Sequence, residues 1–222
     1  MYLYSATAIR LLRIFLIGGV YLSGFITVSG TSSAEYCEKR SRFIAEVRHC
    51  SDEDEALGII NEIRTRCWDA RHNVFAYSLH RDSLQRFSDD GEPHGTAGRP
   101  VLDVINGSGL QDVIVVVTRY FGGVLLGTGG LVRAYSKAAK DALEAAEKQR
   151  IVPVVLLITE CDYSDQGKLV NLINEYGGNV LSSDYGAAVR TEYSVPSENA
   201  DTFLKALSER FSARLTAEIS KK

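Results

Sequence analysis

VVLLITECDYSDQGKLVNLINEYGGNVLSSDYGAAVRTEYSVPSENADTFLKALSERFSARLTAEI, residues 154–219, decides the architecture of the second half of the chain. It reads in order as strand 154–163, helix 166–176, strand 179–185, strand 188–195, helix 199–211 and strand 214–219. Gly177-Gly178 ends the first helix and Gly186 turns the hairpin. The order βαββαβ is that of a ferredoxin-like domain. The stretch has no histidine, no cysteine cluster and no Gly-rich phosphate loop, so it is expected to be an interaction or support module. Pro153 marks the linker in front of it, which sets the domains at 23–150 and 151–222.

Upstream the pattern is again mixed, and the chain as a whole reads as α+β. Residues 41–47 (SRFIAEV) alternate as a half-buried strand, and 52–67 have the apolar spacing of a helix with Ser51 as N-cap. A second strand covers 73–79, a Gly-rich loop 88–98, and a short helix 99–105 ended by Gly107 and Gly109. Residues 113–120 (VIVVVTRY) form an almost continuous apolar run, as expected of a strand buried on both faces. A long helix is predicted over 131–148. Residues 1–22 are a hydrophobic extension. The apolar run 11–28, interrupted by Arg13, admits a targeting or anchoring segment, a start upstream of the native one, or a strand over 21–28.

The net charge of −3 is shared unevenly, with 18 basic against 18 acidic residues in 1–150 and 7 against 10 in 151–222. Neither half is a polycation, so contact with nucleic acid has to use a local patch, and tight nonspecific DNA binding is disfavoured. The four cysteines form no CxxC pair and have no histidine at zinc-ligand spacing, so free thiols are expected and neither a metal nor a cofactor is. Cys67 beside Trp68 has no nucleophile motif around it.

Eight glycines crowd into 87–100 (FSDDGEPHGTAGRP) and 117–135 (VTRYFGGVLLGTGGLVRAY). One explanation is structural: two loops pack together, with Asp89, Asp90 and Thr96 bonding to loop amides. The other is anion recognition. Gly127, Thr128, Gly129 and Gly130 run into a helix whose first turns carry Arg133 and Lys137, where free amides and the positive dipole end suit phosphate. Arg119, at the end of the buried strand, adds a candidate bidentate contact. The pattern is not that of a P-loop. Asp89, Asp90, Glu92 and His94 also admit a hydrolase reading, although adjacent carboxylates in extended backbone point to opposite faces and rarely share one ion.

The strings SRFIA (41–45), DARH (69–72), SDDGEPHGTAGRP (88–100) and TRYFGGVLLGTGGLVRAY (118–135) resemble the IMPACT family, specifically its bacterial YigZ branch, over roughly residue 24 to the C-terminus. The resemblance implies a first domain with the left-handed βαβ fold of a ribosomal small-subunit protein and of a late domain of elongation factor G. It implies a ferredoxin-like second domain and a role in regulating translation. In eukaryotic relatives that role runs through an activator of a stress kinase. Those relatives lack the ferredoxin-like half, so kinase-pathway partners do not carry over.

The expectation is therefore a cytoplasmic, non-enzymatic protein that binds structured RNA, the ribosome or a translation factor. Its surface would lie around Arg71, Arg99, Arg119, Arg133 and Lys137. The alternatives are a phosphoester or small-molecule hydrolase built on the 89–96 loop and a protein-interaction adaptor. A membrane partner enters only if residues 1–22 are native.

Overall fold

The computed structural model describes residues 24–80 and 83–220, and the hydrophobic extension 1–22 lies outside them. The chain divides into two compact units, with the break after Ile151.

The first unit runs β1 (Phe25–Ser29), β2 (Thr31–Glu38), β3 (Ser41–His49), α1 (Glu53–Arg66), β4 (His72–Ser78), β5 (Gln85–Ser88), α2 (Gly98–Ser108), β6 (Val113–Tyr120), α3 (Thr128–Ala145) and β7 (Glu147–Ile151). Its main sheet has the order β2-β3-β6-β4-β5, with every neighbouring pair antiparallel. Because β3 and β4 both run against β6, they are parallel to one another, and α1 makes the crossover of a βαβ unit. The alternating side chains of β6 explain its unbroken apolar run. Val113, Val115 and Val117 join the core formed with α2 and α3, while Ile114 and Val116 join the core under α1. Helices thus cover both faces, and β6 keeps no polar side until Thr118.

Several local details differ from the sequence reading. Asp52, not Ser51, caps α1, its Oδ1 accepting the Glu55 amide at 2.8 Å. Ser51 instead donates its amide and hydroxyl to the Glu55 carboxylate. The short helix reaches Ser108, because Gly107 stays helical and only Gly109 takes the left-handed conformation, φ 70°. The long helix starts at Thr128 and stops at Ala145. Residues 147–151 pair instead with β1, a long-range pairing that overrides the helical propensity of EKQRI. Residues 25–28 of the strand expected over 21–28 lie in β1. The strands β2 and β5 were not anticipated.

The second unit contains β8 (Val154–Cys161), α4 (Tyr163–Glu175), β9 (Asn179–Tyr185), β10 (Val189–Pro196), α5 (Ala200–Arg210) and β11 (Glu218–Ile219). Its antiparallel sheet has the order β11-β8-β10-β9, as in a ferredoxin-like domain. Leu157, Tyr193 and Val195 from the strands meet Leu169, Ile173, Phe203 and Leu207 from the helices in one core. The last strand is only two residues long, because Ser212 and Ala213 adopt left-handed backbone after α5 and residues 214–217 carry no strand pairing. Among the described residues no helix is long and apolar enough to cross a membrane.

Candidate functional site at one end of the first sheet

The strand register gathers both Gly-rich segments at one end of the first unit. Arg42 pairs with Tyr120, and Arg119 pairs with both Phe43 and His72. The turn before β3 (Lys39-Arg40), the turn before β4 (residues 67–71), the loop after β6 (residues 121–127) and the start of α3 therefore issue from the same edge of the sheet. Residues 89–97 join them, because Ser88 of β5 pairs with Phe75 near the start of β4.

The 89–97 loop is held by its own acidic residues. Asp89 accepts the amides of Gly95 (2.8 Å), Ala97 (3.1 Å) and Gly98 (2.8 Å). The N-cap position of α2 is Ala97, which has no capping side chain, so Asp89 serves that helix start from across the loop. Asp90 is bound on both oxygens, by Arg64 at 2.6 Å and by the Asn73 amide at 2.6 Å, and its carbonyl meets His72 Nδ1 at 2.7 Å. Thr96 donates to the Pro93 carbonyl. The His94 side chain is 99% exposed, with Nδ1 3.8 Å from Asp89.

Beneath the loop lies a buried polar cluster. Glu92 Oε1 accepts from Arg119 Nη1 at 2.5 Å and from the Tyr135 hydroxyl at 2.8 Å, with His72 Nε2 at 3.7 Å. The Arg119 and Glu92 side chains are 6% and 4% exposed. Burial and the Glu92 charge push the Tyr135 phenol upward. The Arg119 guanidinium lies 5.4 Å from the Phe43 ring centre and 5.6 Å from that of Phe121, and its Nε has no partner. Arg119 thus ties the end of β6 to the 89–97 loop and to α3. It does not face solvent with Arg133.

The cations available to a ligand are others. Lys39, Arg40, Arg71 and Arg133 are exposed and have no ion-pair partner among the described residues, whereas Arg99 pairs with Asp103 and Lys137 with Asp141. Arg133, Lys137 and Gly130 of α3, with Leu126, form one wall of a groove, and Tyr36, Glu38 and Lys39 form the other. Tyr36 donates to Glu38 at 2.9 Å, and that bond raises the phenol above its ordinary value. Gly127 occupies the N-cap position of α3 without a side-chain cap, which leaves the amides of Thr128, Gly129 and Gly130 directed out of the helix start. Lys39 and Arg40 escaped the sequence reading because β2 was not recognised. The signal for them is a two-residue basic turn, both members at positive φ, between two alternating segments.

Chemically, the arrangement suits an anion at the groove better than hydrolysis in the loop. The lone pairs of Asp89 and Asp90 are committed to amides and to Arg64. Among the described residues no group of three His, Cys, Asp or Glu side chains is placed to hold one metal ion.

Comparison with known proteins agrees with this architecture. Residues 39–143 match the Impact N-terminal domain, and residues 159–214 match a domain of unknown function (DUF1949). The chain is 37% identical over 174 residues to "IMPACT family member YigZ" of Escherichia coli (strain K12), covering 77% of this chain and 85% of that protein. It is 35% identical over 189 residues to "IMPACT family member YvyE" of Bacillus subtilis (strain 168), covering 85% and 87%. Similarity to "Protein IMPACT" of Rattus norvegicus is 30% over 98 residues, or 42% of this chain and 31% of that one. A solved structure titled "Crystal structure of an hypothetical protein" is 32% identical. It superimposes with a TM-score of 0.62 over 90% of this chain and all of its own.

Proposed function

We propose, from the premise that this chain belongs to the IMPACT family, that it is a non-enzymatic, cytoplasmic, translation-associated protein that holds phosphate groups of structured RNA or of ribosomal particles at the sheet end of its first unit. The observation that carries the reading is the gathering of partner-free cations, Lys39, Arg40, Arg71 and Arg133, at one end of the sheet, with Lys39 and Arg133 lining the Tyr36–Arg133 groove beside the open start of α3. Glu38 lines the same groove but is bonded to Tyr36 and not to a cation, and a cation without an ion-pair partner remains available to phosphate. Translation enters through the family resemblance, whose most specific strings form this same end of the sheet.

A balanced first unit neutralises only a few phosphates, so the logarithmic salt slope is expected to be shallow, about two to four. Filter binding of the full chain to ribosomal particles and to structured RNA across a salt series tests this. Lys39→Ala with Arg133→Ala is expected to remove most binding and to flatten the slope by about two. Binding that persists in this double variant with an unchanged slope overturns the reading in favour of a protein partner.

A further inference from the structure

The first unit exposes seven large apolar side chains, Ile26, Leu57, Trp68, Phe87, Phe121, Val124 and Leu125. Four of them, Trp68, Phe121, Val124 and Leu125, belong to two connections at the sheet end that carries the partner-free cations. Trp68, the only tryptophan of the chain, is 82% exposed, as is Leu125, and Phe121 is 48% exposed. A tryptophan in contact with water forgoes one of the largest burial gains open to any side chain. The connections that carry these rings share the sheet end with the exposed basic residues.

The connections that carry Phe121 and Trp68 are tied to the end of the sheet. The loop after β6 starts with Phe121, whose ring lies 5.6 Å from the buried Arg119 guanidinium. Gly122 then presses on the Lys39-Arg40 turn, since a Cβ there would stand 2.0 Å from the Arg40 carbonyl carbon, and its amide donates to Ser41 Oγ at 3.2 Å. On the other side of the sheet the Tyr120 hydroxyl donates to Asp69 at 3.2 Å, which ties the Trp68 turn to the end of β6. Arg42 lies 5.8 Å from the Tyr120 ring centre. Burial, with Cys67 and Asp69 nearby, pushes that phenol up to about 12.

Exposed aromatic rings at the sheet end that carries unpaired cations fit a chain of phosphates whose bases are free to stack. A duplex keeps its bases stacked on each other and offers such a surface only its backbone. We infer that the sheet end selects the unpaired, single-stranded segments of such RNA, stacking bases on Trp68 and Phe121 while Lys39, Arg40, Arg71 and Arg133 hold the phosphates. The inference rests on the phosphate-binding reading above and adds the state of the nucleic acid.

The experiment titrates the full chain with oligouridylate and with a fully paired RNA duplex of equal phosphate content, following the fluorescence of Trp68 and the bound fraction on filters. Tighter binding of the single strand, with quenching of Trp68, is expected. Phe121→Ala and Trp68→Ala are each expected to weaken oligouridylate binding about 5- to 100-fold with no change in salt slope, and Lys39→Ala with Arg133→Ala to reduce the slope. Far-ultraviolet circular dichroism verifies that the variants remain folded; Trp68 is exposed enough for its removal to spare the core. Equal binding of both RNAs, or aromatic variants with unchanged affinity, overturns the stacking inference and leaves the phosphate reading standing. Binding of neither RNA overturns both and points to an acidic protein partner.

Discussion

Replacing Glu92 by Gln tests whether the buried cluster is a structural lock. The exchange keeps an acceptor for the Tyr135 hydroxyl but strips the counter-charge from Arg119, whose side chain is 6% exposed. Breaking a buried ion pair by removing one partner costs about 3–5 kcal/mol, because the remaining charge has neither water nor a carboxylate. The retained hydrogen bonds place this case at about 3 kcal/mol. Two units make a single melting temperature ambiguous, so amide hydrogen exchange resolved by mass spectrometry is the better assay. At that cost the β6 amides exchange about a hundredfold faster or more, while those of β8 and β10 are unchanged. Replacing Glu92 and Arg119 together by Met, with Tyr135→Phe to avoid a stranded hydroxyl, is expected to recover most of the loss. It should also leave the salt slope of RNA binding intact, since Arg119 is not among the phosphate contacts. If Glu92→Gln leaves β6 exchange unchanged, Arg119 finds compensation elsewhere and the cluster is not the lock described.

Asp89→Ala removes the acceptor of three amides and is expected to cost about 2–3 kcal/mol locally, visible as faster exchange at Gly95, Ala97 and Gly98. Stoichiometric calorimetric binding of magnesium, manganese or zinc that vanishes in this variant without such loosening would instead revive the hydrolase alternative. Gly122→Ala drives a Cβ into the Arg40 backbone and is expected to cost about 1–3 kcal/mol in denaturant melts. Gly129→Ala, with open space around the new methyl, is expected to be neutral or stabilising by about 0.4–1 kcal/mol, so any loss of RNA binding there reports close approach of the ligand. In the second unit, the Lys168 hydrogen bond, aided by Arg214, holds Asp165 below the usual carboxylate range. A depressed folded value gives stability that is present above about pH 4, the unfolded value, and lost as the pH falls through the folded one. Asp165→Asn should flatten the acid limb of β8 and β10 exchange below about pH 4, and an unchanged limb refutes that assignment.

What was legible in the sequence follows from where the forces are local. The bounds of β6 were read to the residue because both of its faces are apolar, and those of β9 because Gly177-Gly178 and Gly186 bracket it. β2 was missed although its exposure alternates, because the inward side chains Ala34 and Tyr36 are separated by polar neighbours and only packing against α3 gives them a core. β7 was missed, its first two residues being read as the end of the long helix, because its strand character comes from β1, more than a hundred residues away. The role of Arg119 was hidden in the same way. A lone arginine one residue from the end of an apolar strand demands an anion, but nothing local says whether that anion is a ligand or Glu92.

The eight glycines at the sheet end now divide by cause. A Cβ on Gly98 would stand 2.6 Å from the Ser88 carbonyl oxygen, and one on Gly122 would meet the Arg40 backbone. Gly91, Gly95, Gly123 and Gly127 have positive φ, and a Cβ on Gly130 would press against Leu126 at 3.1 Å. Packing and backbone conformation therefore account for all but Gly129, which lies in the first turn of α3 with open space where its side chain would be. Glycine there weakens the helix by about 1 kcal/mol relative to alanine. Gly58, Gly107 and Gly167 are also helical glycines with open space, so Gly129 separates the two accounts only through its variant: a structural glycine leaves RNA binding unchanged on Gly129→Ala, and an anion-contacting one does not.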